Sequence, residues 1–279
     1  MKELKINELT RRGYYNVFNL GKGHICALHH KGFVLCIGND TYGQCRTEDW
    51  FGIKQLDCGD HHTVGSDGKR VLAVGDNYFG QCNIPPTRKV QAIACGSNHT
   101  LVLYKNGSVY AFGDNRCGQC NISHSKKIIK ISAYGNLTVC IDVENTAFFC
   151  GEHIALEGVG DPMIHDVKSV YACKQYILIV GTDDTLRWLG KIPYALTQEM
   201  TCQVINTGEV LQISCVDEAT LFLYKNKTPK LYTQKFVACL NEMCGAQYAQ
   251  MVIGNNKSEL DIVYLSEFGE IKEIFFKIQ

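Results

Sequence analysis

Several features are scarce in this sequence, and each absence argues against a class of protein. No apolar run approaches the roughly 20 residues that a membrane-spanning helix needs, and the first residues contain no apolar core of signal-peptide length. Net charge is absent, because 28 Lys and Arg balance 28 Asp and Glu, and this argues against a broad surface for nucleic acid or acidic lipid. No segment shows helical periodicity. We therefore expect a soluble, cytoplasmic protein that binds neither nucleic acid nor membranes.

Proline is also scarce, with 5 residues, whereas glycine (26) and cysteine (15) are abundant. Small secreted domains use many cysteines as a disulfide framework. Here the number of cysteines is odd and the chain is long, at 279 residues. We therefore expect reduced thiols that pack as small apolar groups.

A repeat with a period near 38 residues organises the sequence. GNDTYGQC begins at Gly38, GDNYFGQC at Gly75 and GDNRCGQC at Gly113, which gives steps of 37 and 38 residues. The same step reaches Gly151 and Gly190, where the copies keep the glycine and lose the GQC half. Seven copies can be traced, of which three are clear, three degraded and one weak, at approximately residues 14–47, 53–86, 90–122, 128–152, 167–191, 210–234 and 251–279.

The third copy predicts four strands per repeat. Segments rich in Val, Ile, Thr, Tyr and Phe alternate there with turn residues. The predicted strands are Val90–Cys95, Thr100–Tyr104, Ser108–Phe112 and Gln119–Ile122. Four short strands repeated around a ring are typical of a β-propeller, which has about 4 to 8 blades.

The last copy ends at its third strand, and residues 2–8 precede the first strand of the first copy without a partner. We predict that residues 2–8 supply the missing fourth strand of the last blade, which would close the ring and remove an open edge. The predicted fold is all-β: a single domain over residues 1–279, built as a seven-bladed propeller of four-stranded blades.

The block IACGxxHTLVLYKNGSVYAFGDNxxGQCNI resembles the repeat of the regulator of chromosome condensation family, in the short form of its bacterial members. The resemblance is specific over residues 15–122 and suggestive as far as residue 232. It implies a seven-bladed propeller. The founding member of that family is an exchange factor for the small GTPase Ran that uses a wedge-like insertion. The longer intervals here, 152–166, 191–209 and 233–250, are candidates for a wedge, although none carries a motif that we can match.

Repeated polar residues have both structural and chemical interpretations. His24, His62 and His99 share one repeat position, and we favour hydrogen bonds between neighbouring strands over a ring of ligands. The Gly-Asp-Asn-x-x-Gly turns fit local backbone hydrogen bonding better than calcium or phosphate binding. The charged loop that holds His153 and His165 fits a solvated segment better than acid–base catalysis.

The cysteines also occupy repeated slots, with Cys45, Cys82 and Cys120 in one of them. Only one C-x-x-C pair, Cys117 and Cys120, invites a zinc interpretation, in combination with Cys239 and Cys244. Cys120 is explained by the repeat position that it shares with Cys45 and Cys82. Cys239 and Cys244 are separated by four residues rather than the two of a C-x-x-C pair. We predict no metal and no cofactor.

The variable turn positions give the candidate binding residues. Tyr42, Tyr78, Phe79 and Arg116 occupy equivalent turns of successive copies, and Trp50 follows the first GQC. Aromatic residues and arginine are enriched at protein interfaces. If the turns share one face, these residues form an aromatic and basic arc; the alternative is that the aromatics pack between blades.

The sequence therefore predicts a monomeric, non-enzymatic platform whose partner is another protein. Two alternatives stay open. One is an exchange factor for a small GTPase of the Ran or Rab type, which rests on the family resemblance alone. The other is an inhibitor that binds an enzyme through the turn face.

Overall fold

The hairpins predicted for the third copy are present in a computed structural model of the chain. The structure describes residues 15–86, 89–123, 126–158, 163–173, 175–191, 210–216, 219–224, 230–233, 237–239, 248–253, 259–265 and 271–277. Residues 2–8, which we predicted as the closing strand, lie outside this part of the chain. Within it, regular structure is all-β apart from one 3₁₀ turn at Ile154–Leu156, and no helix is long and apolar enough to cross a membrane.

The chain divides into two compact units. Among the described residues, 15–167 belong to the first unit and 168–277 to the second. Four sheets contain the strands β1 Tyr15–Leu20, β2 His24–His29, β3 Val34–Gly38; β4 Gln55–Cys58, β5 His62–Ser66, β6 Val71–Gly75; β7 Val90–Cys95, β8 His99–Tyr104, β9 Val109–Gly113; and β10 Ile128–Tyr134, β11 Leu137–Asp142, β12 Ala147–Gly151, β13 Met163–Ile164. Three further sheets contain β14 Val167–Ala172, β15 Tyr176–Gly181, β16 Leu186–Gly190; β17 Val210–Val216, β18 Ala219–Tyr224, β19 Lys230–Thr233, β20 Val237–Cys239; and β21 Tyr248–Ile253, β22 Glu259–Leu265, β23 Ile271–Lys277.

Strands that are consecutive in sequence are neighbours in every one of these sheets, which is the order of an antiparallel meander. The fourth strand predicted for the third copy, Gln119–Ile122, is wrong, because that segment forms a turn and an irregular stretch. The backbone N–H groups of Cys117 and Cys120 bond to side-chain oxygens of the turn itself, and so do not serve a sheet ladder. Four strands occur only in the fourth and sixth of the described sheets.

Hydrogen bonds between buried side chains connect neighbouring sheets of the first unit. The Nε2 atoms of His24, His62 and His99 lie 3.1, 3.0 and 2.9 Å from the Oγ1 atoms of Thr63, Thr100 and Thr138, each in the next sheet. All six side chains are buried. The structural interpretation of the repeated histidines is thus confirmed.

Each threonine hydroxyl also donates to the backbone carbonyl of the GQC glutamine in the preceding copy. The distances from Thr63, Thr100 and Thr138 to Gln44, Gln81 and Gln119 are 2.8, 2.8 and 2.7 Å. A hydroxyl has one proton, so the threonine accepts its other bond and the histidine carries its proton on Nε2. We call this histidine–threonine–glutamine arrangement the latch.

A glycine three residues before each histidine makes room for the latch. A Cβ atom on Gly96 would collide with Cε1 of His99, and Gly21 and Gly59 have the same relation to His24 and His62. The Gly-x-x-His spacing of the repeat is therefore a packing requirement of the imidazole ring.

The second unit contains a related contact with a different residue. Tyr176 occupies the histidine position, because it pairs with Gly190 as His99 pairs with Gly113. Its buried phenol oxygen lies 2.7 Å from Oγ1 of Thr220 in the next sheet. In the fourth sheet, Leu137 occupies the same register position, so that copy lacks the polar member.

A second set of polar contacts joins the first strands of successive sheets. The Gln55 side chain donates to the carbonyl of Gln91 at 2.6 Å, and the Gln91 side chain to that of Ile129 at 3.1 Å. Asp57 accepts the backbone N–H of Cys95 at 2.8 Å. These bonds, like the latch, have a sequence separation close to one repeat, and so they align the copies in register.

Acid should weaken the latch. Burial lowers the pKa of His99 to about 4, whereas an exposed imidazole in the unfolded chain has a pKa near 6.5. Below pH 6.5 the unfolded chain therefore binds a proton that the native protein does not, and stability is lost as the pH falls towards 4. We expect the difference in unfolding free energy between the wild type and His99→Gln to shrink by up to about 1.4 kcal/mol per pH unit in this window.

Chemical denaturation at a series of pH values tests this expectation, and groups common to both proteins cancel in the difference. Thr182→Val, which replaces an exposed residue that has no titratable side chain, is the control, for which a flat difference is expected. A flat difference for His99→Gln would show that its ring is not held neutral by burial.

Candidate functional site

The turns after β3, β6 and β9 are fixed by their own polar side chains. In the second copy, Asp76 Oδ1 accepts the N–H of Tyr78 at 3.0 Å, Asn77 Oδ1 that of Cys82 at 2.9 Å, and Gln81 Oε1 that of Phe79 at 3.0 Å. Positive φ at the turn glycines, such as 116° at Gly113, fits the requirement for glycine. The structural interpretation of these turns is confirmed, because their oxygens are engaged by backbone donors.

Three of the predicted binding residues form one contiguous surface cluster, which we call the Tyr78 cluster: Tyr78, Phe79 and Arg116. The Phe79 ring is edge-on to Tyr78 at 4.9 Å between centroids, and the Arg116 guanidinium carbon lies 4.5 Å from the centre of the Phe79 ring. Tyr78 is 84% exposed. The second and third turns therefore meet at this cluster.

The Arg116 side chain is held in place by a neighbouring carboxylate. Its Nε and a terminal nitrogen donate to the two Asp114 oxygens at 2.9 and 2.7 Å. These bonds to Arg116 lower the pKa of the buried Asp114 carboxyl. A bidentate pair fixes the plane of the guanidinium, so the cation is presented over Phe79 in one orientation.

Tyr42 lies in the equivalent turn of the first copy and is 52% exposed. Its ring is 5.1 Å from that of His61, which precedes β5 in the second copy. The tyrosine is thus accessible and in contact with the next copy, as Phe79 is with Arg116.

The prediction that Trp50 belongs to the binding face is wrong. Trp50 is only 6% exposed and packs in the core of the first two sheets with Leu28, Ile53 and Leu56. The chain has already left the turn at Thr47, whose hydroxyl donates to the carbonyl of Val34 at the far end of β3. A large apolar side chain at that point is buried between sheets.

One group of potential metal ligands occurs among the described residues: His24, Cys26 and Cys58, with ligand atoms within 4.8 Å of one another. The space between them holds the Thr63 hydroxyl, at 3.1, 3.4 and 3.9 Å from the three side chains. Cys26 is also bonded to Cys36. The group is therefore better explained by the latch than by a metal ion. Cys244, part of the zinc alternative, lies outside the described residues.

Comparison with known families identifies the repeat. Residues 90–119, the third copy, match the regulator of chromosome condensation (RCC1) repeat. The third copy is therefore a repeat of the RCC1 type. No curated protein matches the sequence.

Solved structures of RCC1-like proteins share the fold at low sequence identity. Human WBSCR16 is 16% identical with a TM-score of 0.68, over 86% of this chain and 84% of that one. The ectodomain of the Physcomitrella patens receptor kinase CR4 is 16% identical with a TM-score of 0.68, over 95% and 74%. Saccharomyces cerevisiae Prp20p is 15% identical with a TM-score of 0.64, over 84% and 79%. These similarities show a fold of the β-propeller type.

The cysteine slot of the RCC1 repeat has a polar explanation that the sequence alone did not reveal. The thiols of Cys45, Cys82 and Cys120 donate to the carbonyls of Asn39, Asp76 and Asp114 at 3.5, 3.4 and 3.3 Å. Burial raises the pKa of Cys82 and Cys120 to about 11. These thiols stay protonated at neutral pH, as donors should.

The expectation of reduced thiols is wrong for one pair, because Cys26 and Cys36 form a disulfide between β2 and β3. The two residues are directly opposite in the register, with Cα atoms 4.1 Å apart. A spacing of ten residues across a hairpin did not distinguish this pair from the other repeated cysteines.

The loop histidines are used structurally. His153 Nδ1 accepts the N–H of Ala155 at 3.1 Å and caps the 3₁₀ turn. His165 Nδ1 lies 3.1 Å from the Thr146 hydroxyl, next to the short β13 that extends the fourth sheet. Asp161 of the same loop lies outside the described residues.

Proposed function

We propose that this RCC1-repeat protein is a non-enzymatic platform that binds another protein through the turns after β3, β6 and β9. In this proposal it is a cytoplasmic monomer that needs no cofactor and contacts neither nucleic acid nor membrane. The observation that carries it is the exposure of Tyr78 beside Phe79 and Arg116. Exposed aromatic side chains next to arginine are frequent anchors of protein interfaces.

The chemistry of the Tyr78 cluster suits an anchor. The turn beneath it is bonded internally, so binding would order little backbone. A pre-ordered aromatic side chain loses little conformational entropy on association. The Tyr78 side chain combines an apolar ring with a polar hydroxyl at its tip, which suits the partly solvated rim of a protein interface.

An affinity-capture experiment from the native host tests the proposal. The bait is the purified protein, and the variant is Tyr78→Ala/Phe79→Ala. If the cluster is an energetic centre worth about 2 kcal/mol or more, partner binding should weaken roughly 30-fold or more. Thermal unfolding of the variant should stay close to that of the wild type, because Tyr78 contributes little to packing.

Tyr110→Ala is the matched control, because Tyr110 is also exposed (56%) and also lies edge-on to an aromatic neighbour, Tyr104. Equal capture by wild type and the double variant would contradict the platform. Loss of thermal stability with loss of capture would support packing between copies instead.

The identity of the captured partner separates the two alternatives. The similarity to Prp20p, whose published structure concerns its binding to Gsp1p and histones, extends to the fold. A small GTPase whose nucleotide release is accelerated by this protein would favour the exchange-factor alternative. An enzyme whose turnover is blocked would favour the inhibitor alternative.

We further infer that the seven sheets are blades of one closed ring, with residues 2–8 as the fourth strand of the last blade. Support comes from the seven successive meanders and from the last one, which has three described strands. An unpaired outer edge invites association with other chains. Leu4 and Ile6 alternate with Lys5 and Asn7, the pattern of a half-buried strand.

Substitutions in residues 2–8 test the closing strand. Ile6→Ser should lower the free energy of unfolding by about 2–4 kcal/mol, as for loss of a buried aliphatic side chain. Lys5→Ser, on the other face of the predicted strand, should change it by less than about 0.5 kcal/mol. Equal effects of the two substitutions on the denaturation midpoint would contradict strand addition.

A further inference from the structure

Three sulfur atoms of the first copy lie in contact. Cys26 and Cys36 share the disulfide, and the Sγ atom of Cys45 lies 3.2 Å from that of Cys36. Cys45 belongs to the turn after β3, and Cys36 lies in β3 itself. A free thiol is therefore within contact of one sulfur of a disulfide.

This arrangement is specific to the first copy. Position 36 corresponds to Ala73 in the second copy, because Cys36 pairs with Cys26 as Ala73 pairs with Val64. Cys82, the counterpart of Cys45, has the same hydrogen bond to a turn carbonyl and no cysteine at either of these positions. The thiol hydrogen bond to a turn carbonyl explains the presence of both Cys45 and Cys82 in the repeat. It does not explain Cys26 and Cys36.

We propose that Cys26, Cys36 and Cys45 form a thiol–disulfide exchange site in which the disulfide moves between Cys26–Cys36 and Cys36–Cys45. In the step, the Cys45 thiolate attacks Cys36 Sγ, the bond to Cys26 breaks, and Cys26 leaves as a thiolate. Cys26 takes up the proton that Cys45 lost. One S–S bond forms as another breaks, so the step needs no oxidant or reductant.

The cysteines that exchange the disulfide differ in their exposure to solvent. Cys26 is fully buried, whereas Cys36 and Cys45 are partly exposed. The exchange therefore connects a buried sulfur to one that solvent reaches. It also replaces a link within the β2–β3 hairpin by a link from β3 to the turn that carries Tyr42. The released Cys26 thiol would lie 3.4 Å from the Thr63 hydroxyl of the latch.

Burial, with Asp40 and Glu48 nearby, raises the pKa of Cys45 to about 12. Cys45 is thus a thiol at neutral pH, and attack requires the thiolate. The exchange is therefore slow near pH 7. As long as the pH stays below this pKa, each increase of one pH unit raises the thiolate fraction about tenfold.

Disulfide mapping of the full chain tests the proposal. The wild type is incubated at pH 9 without added thiol or oxidant, free thiols are then trapped with N-ethylmaleimide, and peptides are identified by mass spectrometry without reduction. Both the Cys26–Cys36 and the Cys36–Cys45 linkages are expected, the second increasing with time. A wild type with only Cys26–Cys36 after prolonged incubation would overturn movement of the bond.

A variant isolates the reach of Cys45. In Cys26→Ser, held in a buffer of reduced and oxidised glutathione, Cys36 should pair with Cys45. Circular dichroism establishes that this variant is folded. The Cys45→Ser variant keeps the Cys26–Cys36 pair, and disulfide mapping at pH 9 should no longer find a Cys36–Cys45 linkage in it. Cys82 is the internal control and should be alkylated throughout. Cys36 joined to glutathione, with Cys45 alkylated like Cys82, would overturn the proposal.

Discussion

A single buried contact between sheets, the latch, sets the constraints on the RCC1 repeat in this protein. A histidine donates from Nε2 to a threonine hydroxyl of the next copy, and that hydroxyl donates to the glutamine carbonyl of the turn that the histidine's own copy supplies. Each group is buried, so an unpaired member would cost about 1–3 kcal/mol. The residues of Gly-x-x-His-Thr and of the GQC turn must therefore occur together.

The latch also explains why the turn is a suitable place for recognition. The carbonyl of Gln81 belongs to the latch, while its side chain accepts a backbone N–H of the same turn. One residue thus connects the core of the sheets to the conformation of the turn. The two positions before the second glycine contribute only their backbone N–H groups to the bonds of the turn, so their side chains are free to vary. In the second copy they are Tyr78 and Phe79, and the proposed binding face follows from that freedom.

Sequence reasoning succeeded where a feature is repeated and local. The period, the hairpins and the structural histidines follow from spacing, and the threonine that follows His62 and His99 was a visible signal for the partner of the latch. It failed where the outcome depends on distant packing. Trp50 follows an exposed turn but is buried against Leu56. The segment after Gly118 has strand-like residues, yet its N–H groups serve the turn. The Cys26–Cys36 bond depends on cross-strand register, which spacing alone did not select.

The latch is tested most directly by replacing its central hydroxyl with a methyl group of similar size. Thr100→Val leaves the His62 donor and the Gln81 carbonyl without their buried partner, and the free energy of unfolding in urea should fall by about 2–4 kcal/mol. Thr182→Val, at an exposed turn position, is the matched control and should change it by less than about 0.5 kcal/mol. If Thr100→Val is as harmless as the control, the latch does not hold the repeats together.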